Sequence, residues 1–583
     1  MGNINIKNTY KTADPKQDIP NTEPVRQYYF IDKLKERLRA ETCYKKPEND
    51  DHAAGSSHGL KYSVVTFGCQ MNARDSEKLC GILEAIGYAE TEDELSADLV
   101  IFNTCTIREN ANEHLYGRLG RIKQSKKARP DMVVAVCGCM MQEADEVEKL
   151  SRKYPYIDIM FGTHNFYKFP ELLYDMFEKR EGHFVNVDDA SHDILISSDF
   201  TEHDKAPHAI LSLGKRRPGS ALNENKSKDG QNREEQSKEE LNKENNEKNI
   251  SGKRDDKKEL KLPKKMVVSV WKDNSDIVEE LPNSRRFPFK QGVNISYGCN
   301  NFCSYCIVPY VRGREKSREK ADILKEIRRL GEDGVKEIML LGQNVNSYGK
   351  DLSTPVSFAR LLTEVDELCD EAGIERIRFM TSHPKDLSDE LIHAMDCGKH
   401  IMHQFHLPLQ SGSDRILKLM NRHYDSAAYF ERAEKLRREL PDISISTDII
   451  VGFPGETEED FEATLDMVKK MRYDAAYTFI YSEREGTPAA SFPDKVPEDV
   501  VKERFQRLLS LQNRIAEENC ERLVGRVMPV LFEELNDKDG LHVSGRLENN
   551  SVVHVYGDAS LIGSIRDVRL VKAHGFYYTG ELI

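Results

Sequence analysis

The chain has 583 residues, 85 Lys and Arg against 99 Asp and Glu for a formal charge of −14, and 12 cysteines. At roughly 100 to 200 residues per domain, this length corresponds to about three domains, each able to bury a core. With 38 % hydrophobic and 32 % charged residues, no run approaches the roughly 18 to 20 apolar residues of a membrane span. Cysteine is too sparse for a disulfide-stapled secreted scaffold, and the acidic balance argues against indiscriminate nucleic-acid binding while leaving room for a local basic surface. MGNINIKNTY lacks the apolar core of a signal peptide, and Ile6 stands where a myristoylation site wants Ser or Thr. The expected setting is a reducing cytoplasm without membrane contact, where closely spaced thiols read as metal ligands or catalytic groups.

Residues 1–59 read as a polar flexible arm, in which VRQYYFIDKLKERLR (Val25 to Arg39) suits a short amphipathic helix with Tyr29, Ile31, Leu34 and Leu38 near one face. From Tyr62 the runs YSVVTF, DLVIFN, MVVAVC and DIMF alternate with helix-like segments, which predicts a parallel α/β domain over residues 60–195. Residues 196–280 read as a charged insertion or linker. Between Gly214 and Lys265 lie 16 basic and 11 acidic residues, no aromatic residue and five of Ile, Leu, Val, Met or Phe, a local charge of +5 that leaves −19 elsewhere. Such a stretch cannot offset its chain entropy by apolar burial and is predicted to be disordered. A plain solvated insertion is the preferred reading, with a basic tether near an RNA site as the alternative.

Over residues 285–515 the strand-like runs GVNIS, EIMLLG, RIRFMTS, QFHLPL, SISTDIIVGF and AYTFIY, most followed by a helical pattern, predict a partial barrel of six β/α units rather than a closed eightfold one. A long charged helix from Pro497 to Leu523 leads into residues 520–583, whose short strands and Gly turns predict a small β-barrel. The expected fold class is therefore α/β, with a C-terminal β-barrel added.

Cys299, Cys303 and Cys306 in YGCNNFCSYC form a C-x3-C-x2-C triplet on a loop after the strand GVNIS. A structural zinc site wants four closed ligands, and the next Cys and His in the sequence are Cys369 and His383. A 4Fe–4S cluster held by three thiolates instead leaves one iron open to a non-protein ligand. Cys69, Cys105 and Cys139 each follow directly on a predicted strand of the first domain, so a parallel sheet gathers them at the edge where such sheets bind ligands. Cys137 competes with Cys139 for the third place, although its strand should bury it. Cys80 and Cys520 read as small buried hydrophobes.

The triplet resembles that of the radical S-adenosylmethionine enzymes. Two open three-cysteine sets on adjoining α/β domains, followed by a small β-barrel, resemble the methylthiotransferases. Within that family FGCQMN, NTCTIREN and FGTHN resemble the MiaB-type tRNA enzymes, and VPYVRGREKSR, LLGQNVNSYG, TSHP, HLPLQSGS, MNRHY, TDIIVGFPGET and EREGTPAA extend the match. Glu483 departs from it, standing where the family usually has Pro before Arg484, which puts the local loop geometry in doubt.

The resemblance implies two 4Fe–4S clusters and S-adenosylmethionine as cofactors. Cys299, Cys303 and Cys306 would hold the cluster that cleaves the cofactor to a radical; Cys69, Cys105 and Cys139 would hold an auxiliary cluster that supplies or relays sulfur. The implied reaction adds a methylthio group to C2 of N6-(dimethylallyl)adenosine beside the tRNA anticodon, at adenosine 37. Gly342, Gln343 and Asn344 would cradle the cofactor's amino group and Val451, Gly452 and Phe453 its adenine, with simple turn roles for the glycines as the alternative. Arg312, Arg314 and Arg318 would reach phosphate or cofactor carboxylate unless they form a solvated helix face. The last domain resembles the TRAM module, and Tyr556, Phe576, Tyr577 and Tyr578 are its candidate stacking residues. Implied partners are the anticodon loop of tRNA carrying isopentenyl-adenosine, an electron donor such as flavodoxin or ferredoxin, and a sulfur donor; the chain is taken as a monomer. The rival readings are a methylthiotransferase acting on threonylcarbamoyladenosine tRNA or a ribosomal protein, and a non-catalytic iron–sulfur or RNA-binding protein.

Overall fold

The N-terminal strands are β1 (Lys61–Thr66), β2 (Ala89–Glu90), β3 (Leu99–Thr104), β4 (Val133–Gly138), β5 (Ile159–Phe161) and β6 (Val267–Ser269), all parallel in the order β2-β1-β3-β4-β5-β6. The structure is a computed structural model that describes residues 19–44, 59–106, 109–182, 266–271, 277–536 and 540–583. Every position of β3 and β4 is buried, as central strands covered on both faces require. Alternation then sorts their side chains. Leu99, Ile101, Val133, Ala135 and Cys137 join one apolar layer, while Val100, Phe102, Val134 and Val136 join the other. The period-2 pleat thus removes Cys137 into the core.

The helix Val25–Tyr44 is 20 residues long, not a short element on an arm. Ile31, Leu34 and Leu38 are buried in the layer that covers the sheet, Phe30 is buried against Tyr174, and Arg26 pairs with Glu171. Phe30 takes the inward place that the sequence pattern gave to Tyr29. The sheet also extends past the expected boundary of the insertion, because β6 lies inside the span 196–280 and pairs with β5. Beyond β6 the chain runs along the helix Gln70–Ile86, where the Ser284 N–H donates to Glu77 O at 2.8 Å. A Cβ on Gly81 would stand 2.2 Å from Asn283 Cα, so glycine is required there. The predicted disorder of Gly214 to Lys265 lies outside the described residues.

The partial barrel forms as expected. Its strands β7 (Lys290–Asn294), β10 (Glu337–Leu341), β11 (Arg376–Met380), β12 (Gln404–His406), β13 (Ser444–Val451) and β14 (Ala475–Ile480) are parallel in two triplets, β11-β10-β7 and β12-β13-β14, joined by the bridge Ile377↔Ile401. Two short antiparallel strands, β8 (Ser296–Tyr297) and β9 (Lys316–Ser317), clip together the two ends of the cysteine loop. The helices Lys320–Glu332, Phe358–Ala372, Asp389–Cys397, Ser426–Glu439 and Glu458–Met471 follow the strands, and Ile323, Leu361, Leu391, Leu436 and Phe461 from these helices share one core with Val293, Ile338, Ile377, Phe405 and Ile445 from the strands.

After the helix Glu498–Glu521, strands β15 (Val527–Leu535), β16 (His542–Arg546), β17 (Val552–Tyr556), β18 (Ile565–Ala573) and β19 (Tyr577–Leu582) close a barrel in the order β15-β16-β17-β19-β18. Charges seat it under the first residues of β7, β10 and β11. Arg376 donates to Arg546 O and Pro529 O, both at 2.9 Å, and Arg378 to Leu547 O and Glu548 O, both at 2.7 Å. Lys290 reaches Glu337 at 2.9 Å and Glu533 at 2.6 Å. Burial alone would raise the Glu337 carboxyl, yet Arg378, Lys290 and Arg376 outweigh it and hold the group down at about 2.

Candidate active site

The register of the first sheet brings the three distant cysteines together. Thr66 pairs with Asn103, and Asn103 with Cys137, so Cys69, Cys105 and Cys139 follow the same rung of three neighbouring strands. Two glycines make room. Gly68 has φ +130, and a Cβ there would lie 2.7 Å from Cys105 Cβ; Gly138 has φ +102, and a Cβ there would lie 2.2 Å from Thr104 O. Asn72 ties the set from below, donating to Thr104 O at 2.8 Å and Phe67 O at 3.1 Å. Burial pushes the Cys139 thiol up to about 12, Arg312 works against that rise, and Cys105 and Cys69 add to it. The three sulfurs therefore share one electrostatic environment.

The second set sits on the loop between β8 and β9, beyond the strand ends of the barrel. The Cys299 N–H donates to Gly313 O at 3.1 Å and the Cys306 N–H to Cys303 O at 2.9 Å. Gly298, at φ +69, brings the chain so close to the returning strand that a Cβ would stand 2.1 Å from Arg314 O. Burial pushes Cys299 up to about 11, opposed by the backbone hydrogen bond of Asn301 and reinforced by Cys303; burial, then Cys303, push Cys306 up to about 12. Arg422 is buried with its Nη1 3.2 Å from Cys303 Sγ, its Nε 3.1 Å from Tyr424 Oη and its Nη2 3.3 Å from Pro408 O.

The donor chemistry fits clusters better than single ions. A tetrahedral zinc thiolate site, with bonds of about 2.3 Å, needs sulfurs about 3.8 Å apart. Each set offers three thiols where a closed zinc site wants four ligands, a donor count that suits a polynuclear core with one iron left open.

The remaining expected site residues divide. Gly342 lies beside the clip, a Cβ there standing 2.5 Å from Ser296 Oγ. Gln343 reaches the sulfur of Met71, and Asn344 donates to Asp386 Oδ2 at 2.8 Å. A cavity of about 260 Å³ next to the cluster loop is lined by Asn300, Asn301, Glu315, Asn344, Lys385 and Asp386, among others. Val451 and Phe453 have fully buried side chains packed into separate apolar clusters, and Gly452 turns the chain between them at φ +77. Arg312 turns to the N-terminal cysteine set, its Nε 3.2 Å from Cys139 Sγ and its Nη2 3.0 Å from Asn72 Oδ1. Arg318 braces the barrel through Asn294 O at 2.6 Å and Glu326 at 2.7 Å, and Arg314 lies over the Phe302 ring. Glu483 pairs with Lys495. Tyr556 and Phe576 are exposed, Tyr577 less so, and Tyr578 belongs to the core of its barrel.

Sequence reasoning missed Arg422, whose only signal was its place in MNRHY, and the inward face of β12, β13 and β14. There His406 Nε2 lies 3.4 Å from Asp448 Oδ2 and its ring meets Tyr477 edge-on. The register Asp448↔Tyr477 and Ile450↔Phe479 puts both aromatics on that face, at the open edge strand, with Tyr477 49 % and Phe479 46 % exposed.

A six-stranded partial barrel with a three-cysteine loop beyond its strand ends defines a radical S-adenosylmethionine protein, and residues 293–468 match the radical SAM superfamily. Residues 61–162 match the uncharacterized protein family UPF0004, and residues 521–583 the TRAM domain. The chain is 46 % identical to the tRNA-2-methylthio-N(6)-dimethylallyladenosine synthase of Lachnoclostridium phytofermentans over 90 % of its own length and 96 % of the relative's. It is 44 % identical to the synthase of the same name from Acetivibrio thermocellus, over 96 % of each chain. Among solved structures, the radical S-adenosylmethionine methyltransferase TsrM from Kitasatospora setae matches with a TM-score of 0.44 and 15 % identity over 74 % of each chain. The chain belongs to the family of tRNA-2-methylthio-N(6)-dimethylallyladenosine synthases.

Proposed function

We propose that this enzyme adds a methylthio group to C2 of N6-(dimethylallyl)adenosine beside the tRNA anticodon, at adenosine 37. The observation that carries the proposal is the pair of open three-cysteine sets, braced to each other through the loop 312–314: Arg312 touches Cys139, and Gly313 O accepts from the Cys299 N–H. When bound, the clusters would supply the electron that cleaves S-adenosylmethionine and an open iron for sulfur. Cys299, Cys303 and Cys306 hold the first and Cys69, Cys105 and Cys139 the second. The chain's own residues bind and exclude. Asn344 and Asp386 line the cavity beside the cluster loop and offer polar groups to the cofactor's amino and carboxylate ends. Tyr477 and Phe479 give a base a surface on which to stack at the mouth of the barrel. Tyr556, Phe576 and Tyr577 are the C-terminal barrel's contacts to the anticodon arm. The protein works as a monomer in the cytoplasm with a flavodoxin- or ferredoxin-type reductant and a separate sulfur donor.

Mass analysis of tRNA nucleosides from cells with and without the gene tests the substrate. Loss of the methylthio mark with build-up of isopentenyl-adenosine is expected; unchanged tRNA refutes the assignment. Reconstituted protein is expected to hold about eight irons. Cys303→Ala should abolish cofactor cleavage, whereas Cys105→Ala should retain cleavage and lose sulfur insertion. A colourless protein with stoichiometric zinc would exclude the clusters.

A further inference from the structure

The two cysteine sets share a device. In each, one buried guanidinium donates an N–H to a single sulfur at 3.2 Å, Arg422 to Cys303 and Arg312 to Cys139. Arg422 belongs to the same barrel as its cysteine. Arg312 does not: Cys139 follows β4 of the N-terminal sheet, while Arg312 follows the short barrel helix Val308–Val311. By itself the N-terminal domain gathers three thiols and the Asp75 carboxylate, 7 % exposed, and groups that turn negative repel one another in a desolvated space. Lys78, which pairs with Glu279 at 2.6 Å, also acts on the Asp75 carboxyl, though less than Arg312 does. Arg312 faces the set, with Nη2 3.5 Å from Asp75 Oδ2. Its loop is anchored on both sides, since Thr163 Oγ1 donates to Val311 O at 3.1 Å and the Cys299 N–H to Gly313 O at 3.1 Å.

We propose that Arg312 is a positioning residue of the auxiliary site, lent by the barrel, which offsets the charge that one-electron reduction adds to the cluster on Cys69, Cys105 and Cys139. Docking of the barrel therefore makes that cluster easier to reduce. The inference rests on the cluster assignment made under Proposed function. A cluster held by Cys69, Cys105 and Cys139 would accept one electron from a one-electron reductant, dithionite in the test, and would gain one negative charge. No bond breaks, and the guanidinium keeps its proton. A cationic donor on a ligand sulfur favours the more negative state.

The test uses the full-length reconstituted chain carrying Cys299→Ala, Cys303→Ala and Cys306→Ala, so that the auxiliary cluster titrates alone in a potentiometric titration followed by electron paramagnetic resonance. Arg312→Gln is expected to weaken electron uptake at least tenfold, a potential about 59 mV lower for one electron. Arg312→Lys should retain most of the parent value, and Arg422→Gln should leave it unchanged. In the complementary background, with Cys69, Cys105 and Cys139 replaced by Ala, Arg422→Gln should lower the potential and Arg312→Gln should not. Fewer than about four irons in the parent background refutes the cluster assignment; about four irons with an unchanged potential in Arg312→Gln refutes the role of Arg312. If Arg312→Gln holds no iron, Asp75→Asn decides. Removing that negative charge should raise the potential, and no change overturns the proposal.

Discussion

Glu337→Gln isolates the charge seat beneath the barrel. The carboxylate is 1 % exposed and lies between Lys290 at 2.9 Å and Arg378 at 3.1 Å, which hold it at about 2 against an ordinary 4.5. A carboxylate depressed in the folded state contributes stability above its unfolded value and loses it as pH falls through the folded one. The full contribution is on the order of 3 kcal/mol, a minor part of which is gone by pH 4 and more than half by pH 3. Glutamine keeps the volume but leaves Lys290, Arg376 and Arg378 without this anion, so the variant is less stable at neutral pH. The assay is urea unfolding of the apo chain followed by circular dichroism at pH 7, 5, 4 and 3, wild type beside variant. Other carboxylates titrate in both chains, so the gap between the two reports Glu337. The gap should be constant from pH 7 to 5 and narrow below; a gap that stays the same down to pH 3 refutes the reasoning.

Gly298→Ala should lose about four of the eight irons, those of Cys299, Cys303 and Cys306, because the added Cβ would meet Arg314 O and Gly313 O at 2.1 and 2.5 Å; iron analysis of the reconstituted chain checks it. Leu34→Ala, at a side chain 1 % exposed in the N-terminal helix, should cost about 2 to 5 kcal/mol and lower the thermal midpoint, whereas an unchanged midpoint would mean the helix adds nothing to the domain. Tyr477→Ala should cost little stability, being half exposed, yet weaken binding of an alkylated anticodon stem-loop about tenfold in a titration at fixed salt, the size of one lost stacking contact.

The sequence made the six cysteines and both α/β domains legible because each signal was local. A β-branched run announces a strand, and a cysteine just past it must lie at the sheet edge. The elements that were not legible depend on contacts far along the chain. β6 is three residues long and becomes a strand because β5 offers an unpaired edge. Whether Tyr29 or Phe30 turns inward depends on the helix Phe169–Glu181 and on the exact register of the first helix against it. Arg312 looked like a cofactor contact because it is six residues from Cys306; the turn at Gly313, at φ +74, sends it instead to a cysteine 173 positions earlier. Cys137 and Cys139 were separable because Cys137 lies inside β4, which buries it in the sheet's core, whereas β4 ends at Gly138, φ +102, and Cys139 begins the turn beyond the strand.

The pairing of β5 with β6 has a consequence for how the gene can vary. The helix Phe169–Glu181 and β6 belong to the same unit, so the described chain returns to the sheet it left when β6 pairs with β5. Residues can be added to the stretch between that helix and β6 or removed from it, or its backbone cut, while β6 stays hydrogen-bonded to β5 and Glu279 stays paired with Lys78. Two separately expressed pieces, divided anywhere in that stretch, should therefore reassemble into one particle with both cysteine sets in register. A lineage is free to rewrite the most charged part of this chain without moving a single sulfur.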